Sequence, residues 1–424
     1  MKISLEKMKE LGKPVPKNLE KTKAIAEGMV GEEILQLNFS NTEIAFAHKT
    51  DKELKKAAWL FKMMNKAWLV NVGSELGLLA IRLKLPFVES IVKKTIFEQF
   101  CGGTTLLESM PSIDQLAKFN TLTILDYGAE AKETEEDYNH TMKETIRSIE
   151  FAKLNHFVPV VSVKISGLAR FGLLESLQKG EPFTEATRQE YKVVLKRMDA
   201  ICHVACTHSV GVFFDAEESW IQDSIDHLVT VMMRRYNREK VVVYNTFQLY
   251  RHDRLQFLFD SYQMAHRGGY KLGAKMVRGA YMDKERERAA EMGYPSPIQP
   301  NKAATDDAFN TAIRFCVDHY DEIGSCNASH NAESARLQAE LIVEKNIPRN
   351  HPHLNFCQLY GMSDHLTFNL AKAGFNVAKY VVYGHVKEVI PYLIRRAQEN
   401  SSVTGDMSRE LELVTKEVKR RGLA

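Results

Sequence analysis

An excess of either charge is missing from this 424-residue chain: 57 Lys plus Arg stand against 54 Asp plus Glu, a formal net charge of +3. Bulk electrostatics therefore gives no reason to expect a nucleic-acid partner. Cysteine is scarce, six scattered residues in all, which excludes a secreted disulfide framework. The opening MKISLEKMKELGK lacks the apolar stretch of a signal peptide and is not Arg/Ser-rich like an organellar transit peptide. The expected compartment is a reducing cytoplasm. A long uncharged apolar run is also missing, since the most apolar window, Trp68 to Val88, carries Glu75, Arg82 and Lys84; it fails as a spanning helix and fits an amphipathic one. There is no Walker loop, zinc-protease His motif, G-x-S-x-G elbow, low-complexity tract or internal repeat.

What is present is an ordinary globular composition, 44% apolar and 26% charged. From about Ser40 to Gln99 the pattern is helical. Thr50-Asp-Lys-Glu suits the N-terminus of a helix with Leu54, Ala57, Ala58, Phe61 and Met64 on one face, and a second helix is expected from near Lys66 to Leu83. Cys101-Gly-Gly breaks this run, and no β signal precedes residue 120. Beyond it, short β-rich runs alternate with amphipathic stretches: 121–127, 158–165, 211–215, 240–245, 272–277, 322–328, 353–358 and 377–382. Eight strand-helix units imply an α/β fold with parallel pairing, a (βα)8 TIM-type barrel over residues 116–424 behind an N-terminal helical region, 1–115. The competing doubly wound sheet lacks its Gly-x-Gly-x-x-Gly signature after the first strand.

In such a barrel, chemistry belongs at the C-terminal strand ends. That rule selects Lys164, Asp215 with Glu217, Gln248, Lys275 with Arg278, His330 with Asn331, Gln358 and Tyr380. Each has a structural alternative. Lys164 suits an interior pair with Asp126 or Asp215, Asp215 and Glu217 suit the first turn of a helix, and His330-Asn331 suits a helix opening that would equally suit the polar part of a nucleotide. Cys202, His203, Cys206 and His208 suggest a metal, but their place in a helical stretch favours packing, and no metal is expected. In the segment Tyr380–Glu399, Tyr392, Arg395, Arg396 and Glu399 fall opposite an apolar stripe of Val386, Val389, Ile390, Leu393, Ile394 and Ala397. Glu399 can brace both guanidiniums toward an anion, although such a face is ordinarily just solvated.

Taken in order from about residue 41 to residue 402, Phe100-Cys-Gly-Gly, Ser162-Val-Lys-Ile-Ser, Asp215-Ala-Glu, Gln248, Val277-Arg-Gly-Ala-Tyr, Ser329-His-Asn, Gln358-Leu-Tyr-Gly-Met and Tyr392-Leu-Ile-Arg-Arg-Ala-Gln-Glu-Asn resemble the proline dehydrogenases. The likeness is to the monofunctional, mitochondrial-type branch. It implies a distorted barrel whose eighth helix lies over the mouth, FAD as cofactor, and oxidation of L-proline to Δ1-pyrroline-5-carboxylate. It implies that Arg395 and Arg396 clamp the substrate carboxylate, that Glu399 orients them, that Tyr380 packs on the ring, and that Lys164 and Asp215 complete the polar network. For the flavin it implies Ala216, Gln248, Lys275, Arg278 and Gly279. Ala280, Thr305, His330, Asn331 and Leu359 complete that set. Bacterial bifunctional members have arginine where this chain has Lys275, which keeps the charge and loses the fork. The resemblance also implies a quinone or other membrane electron acceptor. Contact with the inner face of the cell membrane would be peripheral, through the helices before residue 100 or the basic end KEVKRRGLA. Hydroxyproline dehydrogenase is the nearest alternative, disfavoured by Tyr380. A Schiff-base aldolase using Lys164 is the alternative from another class.

Overall fold

The computed structural model describes residues 37–66, 88–128, 133–182, 184–401 and 406–423, with Leu35 and Val70. The expected helix from near Lys66 to Leu83 lies outside them but for Lys66 and Val70. Nine strands form one sheet: β1 (Cys101–Gly103), β2 (Leu122–Tyr127), β3 (Val160–Lys164), β4 (Gly211–Asp215), β5 (Val243–Gln248), β6 (Leu272–Val277), β7 (Ile323–Ala328), β8 (Leu354–Leu359) and β9 (Val377–Tyr383). Strands β2 to β9 pair in parallel, each with the next, and β9 returns to β2 to close the barrel. The eight expected runs are these eight strands. The run at 240–245 begins three residues later, at Val243, because the Asn237 side chain takes the Val242 and Val243 N–H groups before the ladder starts.

Strand β1 corrects the expectation of no β structure before residue 120. Its Cys-Gly-Gly sequence has no β propensity, yet it is held by β9, with Cys101 opposite Val382 and Gly103 opposite Tyr383. On that edge β8 pairs only with Val377 to Tyr380, so β1 occupies the remainder. Tertiary pairing here overrides local preference.

Alternation along each strand sorts the side chains. Val212, Phe214, Val243, Phe247, Leu272, Met276 and Phe356 point outward into the main core beneath the helices. Ile124, Phe213, Tyr244, Cys326, Cys357 and Tyr380 belong to a second buried cluster. That cluster also holds Val386, Val389, Tyr392, Leu393 and Ala397, so the segment after β9 packs against the barrel interior. The turn that sends it there is made at Gly384, whose φ of +145° is strained for any side chain, and whose N–H reaches Gly103 O at 3.2 Å. The following helix is Ile390–Ser401, and the eighth helix therefore lies over the mouth.

The Thr50 cap is as expected: its hydroxyl accepts from Glu53 N–H and the Glu53 carboxylate accepts from Thr50 N–H, opening the helix Asp51–Met64 with Leu54, Ala57, Phe61 and Met64 buried. A C-terminal helix, Asp406–Arg420, packs on it. Arg421 donates to Phe46 O at 2.8 Å, Lys49 O at 2.9 Å and Asp51 at 3.0 Å, and the fully buried Glu417 binds both Arg420 and Arg421. The basic end is thus a clasp on the chain's own N-terminal helices. Cys202 is buried in the main core with Cys206 packed against it, and no metal-binding group of His, Cys, Asp and Glu occurs among the described residues.

Candidate active site

At the mouth, inward alternation brings four strands to one carboxylate. Asp215, the last residue of β4, accepts at Oδ1 from Lys275 Nζ of β6 at 2.5 Å and from Ser162 Oγ of β3 at 3.0 Å. Its Oδ2 accepts from the Tyr380 hydroxyl of β9 at 2.7 Å, and Tyr380 also lies 3.0 Å from Ser162 Oγ. Lys275 Nζ lies 4.8 Å from the centroid of the Tyr380 ring. Burial raises the Asp215 carboxyl, but the Lys275 charge and the bonds from Lys275 and Tyr380 outweigh it and hold the pKa below its ordinary value. The ion pair at Asp215 is therefore made by Lys275. Lys164, half-buried at the end of β3, lies near enough to Asp126, Asp215 and Glu217 for its charge to favour all three carboxylates.

Asp126, on β2, was not among the expected site residues. Burial, then the Asp215 charge, raises its pKa, so the pair holds one firm carboxylate and one that resists ionisation. The strand-end rule applied to TLTILDY would have found it. The rule also selected Gln358, which faces outward instead: its Nε2 donates to Ser329 O at 3.2 Å and its Oε1 accepts from Thr367 at 2.8 Å.

The mouth helix presents Tyr392 and Arg396, each 6% exposed, with Arg395 and Glu399 half-buried beside them. The expected face is thus turned away from water. Arg396 donates to Glu399 Oε1 at 2.5 Å, while its buried Nε has no partner. Arg395 lies close enough to Tyr281 for its charge to act on that phenol, whose pKa burial pushes up to about 12.

The remaining expected residues occupy the loops around this centre. Gln248, ending β5, donates to Glu217 O at 3.1 Å, and its buried Oε1 has no partner. Arg278 is fixed by Asp306 at 2.9 Å and by Ser334 at 2.9 Å, with its guanidinium 4.3 Å from the Phe309 ring centroid. Gly279 and Ala280 after it are exposed, whereas Thr305, next to Asp306, is buried. Asn331 caps the helix Ala332–Glu344 by accepting from Ser334 N–H at 3.0 Å, so it opens that helix with its side-chain oxygen engaged. His330 Nδ1 lies 2.8 Å from Ser363 Oγ; burial, then the Lys379 and Arg396 charges, lowers its pKa to about 3. Ala216 is buried behind Asp215, and Leu359 ends β8 half-buried.

Glu217 yields a stability prediction. The residue is 4% exposed, its carboxylate accepts from Ser166 N–H at 2.9 Å, and burial, opposed by Lys164 and Ser166, raises its pKa to about 7. A folded pKa above the unfolded value means full stability below about pH 4 and loss as pH rises toward 7. Glu217→Gln mimics the protonated form. The variant should match the parent in Tm at pH 4.5 and exceed it at pH 8, by up to roughly 3 kcal/mol in stability. An equal difference at both pH values would contradict the assignment.

The proline dehydrogenase family matches residues 109–409, which takes in β2 to β9 and the mouth helix. The mitochondrial proline dehydrogenase 1 of Dictyostelium discoideum is 33% identical over 412 residues, covering 87% of this chain and 71% of the relative. That of Homo sapiens is 38% identical over 257 residues, covering 60% and 42%. The carbapenem antibiotics biosynthesis protein CarD of Pectobacterium carotovorum subsp. carotovorum is 32% identical over 322 residues, covering 76% and 83%. Among solved structures, proline utilization A from Bdellovibrio bacteriovorus superposes with a TM-score of 0.68 at 20% identity, covering 91% of this chain and 43% of that one, which bears on the fold alone. The chain spans 56% of the Caenorhabditis elegans proline dehydrogenase 1 that it also matches. A family match that runs from the first barrel strand through the arginine pair, joined to a closed barrel with its last helix over the mouth, means that this chain belongs to the proline dehydrogenases, a family of oxidoreductases.

Proposed function

We propose that this chain oxidises L-proline to Δ1-pyrroline-5-carboxylate with FAD as cofactor. The observation that carries the reading is the burial of Arg396, braced by Glu399, on a helix packed over the inward Asp215–Lys275–Tyr380 cluster. A guanidinium shut away from water with an unpartnered Nε calls for an anion, and the substrate carboxylate supplies it. Arg395 and Arg396 form the clamp, and Glu399 limits their freedom. Tyr380, tied through its hydroxyl to Asp215 and Ser162, offers its ring as a flat wall for the pyrrolidine. Two guanidiniums and Lys164 near the substrate disfavour an ammonium, so the amine binds neutral, as loss of hydride from C5 requires.

The chain's residues fit a flavin nucleotide. Gln248 Oε1 is a buried acceptor without a donor, Gly279 and Ala280 leave room for close approach, and Asn331 caps a 13-residue helix with its amide nitrogen to spare. Ala216, Gln248, Lys275 and Arg278 would hold one part, and Thr305, His330, Asn331 and Leu359 another. When bound, FAD supplies a hydride acceptor at N5. The fixed placement of the clamp against the barrel wall then provides the proximity on which the rate depends.

We further propose a quinone or other membrane acceptor for the electrons, reached by peripheral contact through the segment before residue 100 at the inner face of the membrane. No described helix is long and apolar enough to cross a bilayer, and the basic end is engaged by the chain's own helices. Residues 116–424 would carry the catalysis and 1–115 the flanking region.

Steady-state turnover of L-proline with a dye acceptor tests the reading. A colourless protein in which borohydride traps a substrate on Lys164 would instead establish a Schiff-base aldolase. For substrate choice, Tyr380→Ser is expected to shift the kcat/KM ratio toward hydroxyproline by roughly tenfold, since space replaces the ring. Loss of both activities at an unchanged ratio would count against the role of Tyr380.

A further inference from the structure

Behind the loop that follows β4 lies a buried polar group that the proposed chemistry does not use. Gln222 and Asp226 stand four residues apart on the helix Ser219–Tyr236, so they share one face of it, the face packed against β5. Asp226 Oδ1 accepts from Gln222 Nε2 at 2.8 Å and from Asn245 Nδ2 of β5 at 2.8 Å, while its Oδ2 accepts from Arg254 Nη1 at 2.5 Å. Arg254, which opens the helix Arg254–Gly268, is held in turn by Asp253 at 2.6 Å and by Asp223 at 3.2 Å. Gln222, Asp226, Asn245 and Arg254 are all buried. A buried ion pair of this kind adds little net stability. What it adds here is a fixed direction for the hydrogen bonds around it.

With three N–H donors on its two oxygens, one of them a guanidinium, Asp226 only accepts. Gln222 must therefore turn its amide nitrogen to Asp226 and its oxygen the other way. That oxygen accepts from the Glu217 N–H at 2.8 Å. Asn245 is set by the same logic, its Oδ1 accepting from Thr246 N–H at 2.9 Å and its nitrogen left for Asp226. On the far side of the same residue, the Glu217 carbonyl takes Gln248 Nε2 at 3.1 Å, which leaves the buried Gln248 Oε1 as the acceptor without a partner at the end of β5. The main chain of Glu217, two residues past Asp215, is thus anchored on its N–H side by Gln222 and is itself the anchor of Gln248. We infer that Asp226 and Gln222 are positioning residues for the ligand wall: Asp226 sets the polarity of Gln222, Gln222 fixes the Glu217 main chain, and that main chain holds Gln248 with its oxygen presented to a donor group of the ligand. The inference rests on the flavin reading, in which that ligand is FAD. Without Gln222 the Glu217 N–H is buried with no acceptor, so the segment moves and carries Gln248 with it.

An exchange of polarity tests this. Gln222→Met, which removes both bonds with little change of volume, should raise the FAD dissociation constant roughly tenfold, the worth of one hydrogen bond. Gln222→Glu should do the same, because its carboxylate has no proton to give Asp226 and is repelled by it. Asp226→Asn added to Gln222→Glu restores the order: the new amide donates, and the new carboxylate accepts both from it and from the Glu217 N–H. The double variant should return to within about threefold of the parent. Hydrogen–deuterium exchange at the Glu217 amide of the FAD-free protein is the second readout, slow in the parent and the double variant and roughly tenfold faster in Gln222→Met. FAD binding unchanged in Gln222→Met, even with a lowered Tm, overturns the positioning, as does a double variant no better than Gln222→Glu. Should Gln222→Glu not fold, the double variant is compared with Gln222→Met, and equal FAD binding by the two overturns it. Should the protein bind no FAD, the flavin reading fails, and the exchange rates still decide the Glu217 anchor: equal rates in the parent and Gln222→Met overturn it.

Discussion

Arg396→Met should raise the KM for L-proline by roughly ten- to a hundredfold, the loss of one charge-assisted bond to a carboxylate of about 1.5–3 kcal/mol. Arg395→Met should act in the same direction. Arg396 is the more buried of the two and is braced by Glu399 at 2.5 Å, so little of its free energy is lost to ordering on binding, and its removal should show mainly as weaker substrate binding. Pyrrolidine, which has no carboxylate, provides the control: its weak binding should be unaltered by either substitution. Unchanged proline kinetics in both variants would mean that the arginine pair is not the clamp.

Asp215→Ala should be the most destabilising single change at the mouth. Lys275 is 6% exposed and its ammonium is partnered by Asp215 at 2.5 Å, so truncation strands a buried charge and removes the acceptor of the Tyr380 hydroxyl at 2.7 Å. Breaking one side of such a pair costs roughly 3–5 kcal/mol. Chemical denaturation of three variants checks this. Asp215→Ala should lose that amount, Asp215→Asn less, because an amide oxygen can still accept from Tyr380, and Asp215→Ala with Lys275→Met should recover most of the stability and none of the turnover. A single variant as stable as the parent would show that the pair contributes nothing to the fold.

The barrel was legible because its strands carry the signal of their own burial. GVFFD and LGAKMV match β4 and β6 residue for residue, since strands apolar on both faces stand out between charged helices. Strand β1 was not legible, because Cys101-Gly-Gly is β only through the edge of β9 that β8 leaves free. The strand-end rule picked Lys164, Asp215 and Gln248, which end their strands at the mouth, and Tyr380 of β9, because period-two alternation fixes which residues face inward. It selected Gln358 wrongly for the same reason, since a slip of one residue reverses the face. Which lysine would pair with Asp215 could not be read from spacing, because Lys164 and Lys275 both end inward on nearby strands.

On the proposed reading, a flavin held at this mouth is reduced by proline clamped beneath the helix Ile390–Ser401. The visible spectrum of the purified protein before and after anaerobic addition of L-proline tests it most directly. A yellow protein with oxidised-flavin absorbance that bleaches with L-proline, and does so only at far higher proline concentration in Arg396→Met, is the predicted result. A protein that is colourless after reconstitution with FAD, or a flavin spectrum indifferent to proline, would contradict it.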